Sequence, residues 1–283
     1  MNILYCGDKN IADGLMISVL SLTQCVREPL NIFILTMHFE LHGKTCEPLP
    51  PALAKSLDAR VKQVNRDSSV QLIDIGTLFK NDVPYANLAT RFTPCCMLRL
   101  FADMIPELPD KILYLDTDVI CRKNPAEFYN QDMSGYHIAG VLDYYGRWFF
   151  RNNVIKADYL NSGVLLLNLE LIRKTGLFAE CRKRCREKRM FMPDQSAIIK
   201  LTQDKKIMPR KYNEQRRLKT DTVFQHFTTS FRFFPVIHTV TVKPWQKDKM
   251  HQKLKLYEYD RILDEYETLK NDYQKEGEIC NAK

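Results

Sequence analysis

Ile112-Leu113-Tyr114-Leu115-Asp116-Thr117-Asp118-Val119 is an apolar run that ends abruptly in two carboxylates one residue apart. Its apolar part predicts a buried strand, because strands of a sheet covered on both faces carry near-continuous apolar runs. If the chain stays extended past Leu115, Asp116 and Asp118 point to the same side. Two carboxylates so placed repel each other unless a cation lies between them. A hard divalent ion with oxygen ligands meets that need, and such sites commonly share the ion with substrate phosphates. The plain alternative is an Asp capping the turn after a strand.

The segments around this strand set its context. Upstream, Asn2–Cys6, Asn31–Thr36 and Val70–Ile75 are strand-like. Between the first two, Ile11, Leu15, Val19, Leu22 and Val26 recur at the spacing of one helix face. Ala52–Asp58 and Pro94–Met104 also read as helical. The repeated β-α-β order predicts an α/β fold, a Rossmann-like, mostly parallel central sheet flanked by helices. Ligands in such sheets bind outside the carboxyl ends of the strands, which is where Asp116 and Asp118 stand. Downstream, His137–Leu142 and Gly163–Asn168 read as strands, Glu170–Arg189 as one basic helix, and Pro193–Thr202 as a helix opened by Pro193. With no internal repeat and no flexible linker, the expected organisation is one domain over 1–245 and a charged helical tail over 246–283.

Composition narrows the function classes. The 283 residues are 45% hydrophobic and 27% charged, which excludes disordered and collagen-like chains. No apolar stretch approaches the ~20 residues of a membrane-spanning helix, and the amino end has no signal-peptide pattern, so a soluble, cytoplasmic protein is expected. The nine cysteines include no Cys-x-x-Cys pair and no zinc-like spacing with His, and read as reduced thiols. Lys and Arg number 42 against 34 Asp and Glu, a net +8. The excess is local: residues 171–219 hold sixteen basic and five acidic side chains, a net +11. That region reads either as solvated helix faces or as a contact with an anionic membrane at its inner face. No nucleic-acid motif accompanies it, and no nucleic-acid partner is expected.

Several motifs, in order, carry a resemblance. They are Asn2–Asn10, Met97-Leu98-Arg99-Leu100, Leu115-Asp116-Thr117-Asp118, Tyr159-Leu160-Asn161-Ser162-Gly163-Val164, Pro193-Asp194-Gln195, Pro209–Asn213, and His238 followed by Lys243-Pro244-Trp245. With them the chain resembles the bacterial glycosyltransferases of family 8, retaining enzymes that use nucleotide-activated sugars. The resemblance implies a GT-A fold and a divalent metal, usually manganese (or magnesium), held by Asp116, Asp118 and His238. His226 in His226-Phe227-Thr228 competes for the third position, and His238 is favoured because Lys-Pro-Trp follows it closely. The family's usual element has a Gly three residues after its His, where this chain has Thr241, and its Lys one position later than Lys243.

The resemblance further implies that Cys6, Asp8, Asn10, Arg99, Thr117 and Lys243 bind the nucleotide-sugar. Asp143, Asn161, Asp194 and Gln195 would form the catalytic, sugar-facing side. The implied reaction is transfer of a hexose, glucose or galactose, from a UDP-sugar to a saccharide or glycolipid acceptor, in envelope glycan or lipopolysaccharide-like synthesis. Two other classes share parts of the pattern. A nucleotidyltransferase would also pair acidic residues with a parallel sheet, but a Gly-rich phosphate loop is absent after the first strand. A non-catalytic nucleotide-sugar or glycan-binding homologue would not need Asp116, Asp118 and Gln195 together.

Overall fold

The computed structural model describes residues 1–41, 43–88, 94–144, 158–232 and 238–281. Strand β1 (Asn2–Cys6) is apolar from Ile3 to Tyr5 because both its faces are covered. Ile3 and Tyr5 pack into the cluster containing helix α1 (Ala12–Cys25), while Leu4 joins the cluster on the opposite face. The chain returns as β2 (Asn31–Thr36), makes a short hairpin of β3 (Phe39–Leu41) and β4 (Lys44–Cys46), then α2 (Pro51–Val64) and β5 (Ser69–Asp74). A 3₁₀ helix, Pro94–Met104, leads to β6 (Lys111–Leu115) and the short β7 (Val119–Cys121). Then come β8 (Ile138–Leu142), β9 (Leu160–Asn168), α3 (Leu169–Thr175), α4 (Leu177–Glu187) and α5 (Pro193–Leu201). Strands β10 (Lys205–Ile207), β11 (Phe224–His226), β12 (Ser230–Arg232) and β13 (His238–Val240) precede the last helix, α6 (Asp260–Asn281).

Seven strands form the central sheet in the order β10-β8-β9-β6-β1-β2-β5. β9 runs antiparallel to β6 and β8, and the other pairings are parallel. β1 lies between β2 and β6, so successive crossovers leave it in opposite directions. A crevice opens at the carboxyl ends of strands where the order switches in this way. The residues after β1 and after β6 are therefore brought together, although more than a hundred positions separate them in the chain.

Three expected elements differ. The basic stretch Glu170–Arg189 is two helices, because Gly176 takes a left-handed φ of 68° that ends α3 with a backbone cap on Arg173 and Ile172. β9 begins at Leu160 rather than Gly163, so Asn161 and Ser162 are strand residues too. The tail is not one helix from Gln246: a turn centred on Lys255, at φ 54°, precedes α6. α6 lies on α1 and α2. Ile262, Leu263 and Tyr266 enter the core, Tyr266 donates to Asp13 at 2.7 Å, and Glu265 pairs with Arg60 at 3.2 Å.

Candidate functional site

At the end of β6 the chain does not stay extended. Asp116 and Asp118 lie in a tight turn closed by Val119 N donating to Asp116 O at 3.2 Å, and the carboxylates converge through that turn. The group that joins them is His226, at the end of β11. Its Nε2 is 3.1 Å from Asp118 Oδ1 and 3.8 Å from Asp116 Oδ2. Asp116, Asp118 and His226 present one ligand atom each within 4.8 Å of one another. Of the two histidines weighed for the third position, His226 is the one seen beside the carboxylates; His238 stands on β13, and its side chain lies outside the described residues. The hairpin β12–β13 separates His226 from Lys243-Pro244-Trp245, which is why proximity in sequence pointed to His238.

Each member of this cluster is held by others. His226 Nδ1 faces the amide oxygens of Asn161 at 3.1 Å and Asn213 at 3.2 Å, which fixes the proton on Nδ1 and leaves Nε2 toward the carboxylates. Asn161 Oδ1 also accepts from Gly163 N and from Asn213 Nδ2, and its own Nδ2 donates to Asp143 at 2.9 Å. Gly163 is required by contact: a Cβ there would lie 2.1 Å from His226 Cε1 and 2.8 Å from Asp116 Oδ2. Asp116 Oδ1 accepts from Tyr114 at 2.6 Å and Arg99 at 3.0 Å.

The electrostatics follow from burial and these partners. Burial pushes the Asp118 carboxyl up, but His226 and Lys243 outweigh it and hold it well below the usual carboxylate range. Burial pushes the His226 imidazole down, and the two carboxylates more than reverse this, so it is raised. Lys243 Nζ lies on Asp118 Oδ2, a cation already standing where two carboxylates and an imidazole converge. A donor set of two carboxylates and one imidazole, with a lysine ammonium as stand-in, fits a divalent ion such as manganese.

The cleft around this cluster, about 1140 Å³, gathers most of the expected site residues: Cys6, Asp8, Arg99, Asp116, Thr117, Asp118, Asp143, Asn161, Asp194, Gln195 and Lys243 all line it. Asn10 does not. Its backbone and side-chain N–H groups both donate to Asp8 at 3.1 Å, which orients that carboxylate. Arg99 faces protein rather than open space: it donates to Ser162 O at 2.7 Å and pairs with Asp116 and, at 3.2 Å, with Asp194. Burial raises the Asp194 carboxyl, with Arg99 opposing. Gln195 accepts from Ser162 Oγ and donates to Leu160 O, both at 3.1 Å. Sequence reasoning missed Tyr114, Ser162 and Asn213 as positioning groups. Tyr114 was legible in principle, since it lies two residues before Asp116 on a strand and shares its side.

Comparison with known proteins gives a family and a fold. The family described as Glycosyl transferase family 8 matches residues 2–249. A putative glycosyltransferase of Haemophilus influenzae is 25% identical over 185 residues, covering 63% of this chain and 51% of that protein. Glycosyltransferase GlyA of Streptococcus pneumoniae is 33% identical over 100 residues, covering 35% of this chain and 12% of that protein. The chain thus spans about half or less of the length of these curated relatives. Among solved structures, the galactosyltransferase LgtC in complex with donor and acceptor sugar analogs matches with a TM-score of 0.63 at 17% identity, covering 95% of this chain and 96% of that one. Glycosyltransferase GlyE of Streptococcus pneumoniae matches with a TM-score of 0.59 at 17% identity, covering 93% and 63%. At such identity the likeness speaks to the fold, which is GT-A.

Proposed function

The chain belongs to glycosyl transferase family 8, and from that premise we propose that it moves a hexose, glucose or galactose, from a UDP-sugar to a saccharide acceptor with retention of configuration. The observation that carries this reading is the convergence of Asp116, Asp118 and His226 at the floor of the donor-sized cleft, with Lys243 beside them. In this proposal the three hold a divalent ion, manganese or magnesium, which when bound neutralises charge on the leaving diphosphate. Lys243 moves from Asp118 to a phosphate oxygen, acting as a point charge. Asp8, oriented by Asn10, accepts from the base, and Cys6 and Thr117 complete the nucleoside wall.

Gln195 faces the transferred sugar. Ser162 and Leu160 fix its amide plane, and a carbonyl oxygen with two lone pairs keeps one for positive charge developing on the sugar. Being neutral, it favours front-side transfer over a covalent intermediate. Asn161 and Asp143, hydrogen-bonded to each other, line the same side of the cleft and bind sugar hydroxyls. Arg99 holds Asp116 and Asp194 in place and is a positioning residue. The acceptor is an envelope glycan or lipopolysaccharide-like saccharide, modified in the cytoplasm.

The test is UDP release from UDP-glucose and UDP-galactose, with and without manganese. Metal-stimulated release by the wild type and its loss in Asp116→Asn is the expected result. Metal-independent release, or full activity in Asp116→Asn, would overturn the reading. Gln195→Ala is expected to keep donor binding by calorimetry and to lose about 100-fold in rate, the usual scale for one charge-stabilising group.

A further inference from the structure

A second cluster of ligand-type side chains stands apart from the Asp116 centre. Cys46 ends β4 of the short hairpin, Cys95 opens the 3₁₀ helix Pro94–Met104, and Asp8 follows β1. The fold brings these three distant segments together, and one atom from each (two thiol sulfurs and a carboxylate oxygen) falls within 4.8 Å of the others. All three residues are buried. The two thiols stand side by side. Asp8 is aimed by Asn10, and the adjoining turn is tied to the hairpin by Lys9 N donating to Glu47 O at 2.8 Å. Asp8 and Cys95 also border the cleft, so a water can reach the cluster from that side.

We propose that Cys46, Cys95 and Asp8 form a binding site for a thiophilic divalent cation of the zinc class. Two thiolates and a carboxylate make three protein ligands, and a cleft water completes a tetrahedral set. Binding displaces the two thiol protons to solvent. The donor set is soft where the Asp116–Asp118–His226 set is hard, so the two sites separate cations by chemistry. The site has a consequence for the cleft. If Asp8 contacts the nucleoside, as proposed above, a cation that engages its carboxylate competes with the donor. This second step rests on that functional reading; the site itself does not.

The experiment uses the full reduced chain in excess manganese, titrated with Cd²⁺ and followed by thiolate-to-metal charge-transfer absorption in the ultraviolet. One saturating equivalent is expected. Cys46→Ser and Cys95→Ser should each weaken Cd²⁺ binding by more than about 100-fold, beyond the loss usual for a group that only supports a ligand. Asp8→Asn, which leaves both thiols in place, should weaken it as well. Cys25→Ser should leave the titration unchanged, since Cys25 and its neighbour Cys121 have no third ligand near them among the described residues. No charge-transfer band, or a band that survives Cys46→Ser and Cys95→Ser, overturns the site. Calorimetry with UDP on the Cd²⁺-loaded protein separates the second step: the band with undiminished UDP affinity keeps the site and removes Asp8 from the nucleoside contact.

Discussion

Gly163 shows how much one missing atom can decide. Its hydrogen leaves room for His226 against Asp116, and a methyl there would overlap the imidazole at 2.1 Å. Gly163→Ala is therefore expected to displace His226, destabilise the fold by about 1–3 kcal/mol, and abolish metal-stimulated UDP release; urea denaturation and a release assay check the two parts. His226 also carries a pH signature. Its imidazole is raised by Asp118 and Asp116 against the opposing effect of burial. A raised histidine contributes stability that is fully present below its ordinary value of about 6.5 and is lost as pH rises through the higher folded value. The metal-free wild type should thus lose melting temperature on that alkaline side, and His226→Gln should flatten the profile. A parallel profile in the variant would mean that the ion pair with Asp118 contributes nothing.

At the scale of elements, the regular part of the fold was legible and the interruptions were not. β1, β2, β6 and α1 announce themselves by period, because a strand covered on both faces must be apolar throughout and a helix on one face must repeat every three to four residues. The acidic pair after β6 was equally readable, though its carboxylates meet through a turn and not along an extended chain. That His226 stands beside the pair was not readable from spacing, because a hairpin, β12–β13, lies between His226 and Lys243, and spacing in sequence cannot register a loop that folds back on itself. Asn213 and Ser162 act only through tertiary contacts, for which no local pattern exists. The break at Gly176 was visible as a glycine but not as a left-handed one. Gly176→Ala, which meets no atom within 4 Å, isolates that backbone strain. It should cost about 1 kcal/mol in urea denaturation, with donor binding unchanged.

For the whole molecule, the question is what the net +11 of residues 171–219 does. Much of it is spent inside the fold. Arg182 is buried, pairs with Asp82 and Asp103, donates to Leu100 O and stacks over Phe101. Arg173 pairs with Asp110, Lys211 with Glu127 and Arg186 with Asp82. Arg182→Ala leaves Asp103 near the interior without its partner, while Asp82 keeps Arg186, and should destabilise by about 3–5 kcal/mol. The exposed remainder of α4 and the segment after it, Lys183, Lys188 and Arg189, is what a surface could meet. No helix among the described residues is long and apolar enough to cross a membrane, so any association would have to be made at the surface. Each Lys or Arg near anionic lipid contributes about 1 kcal/mol. Changing these three to Gln should therefore reduce binding to anionic vesicles by about 100-fold at physiological salt, with melting temperature and UDP affinity unaltered. If vesicle sedimentation shows no difference between the variant and the wild type, these charges serve only as a solvated face.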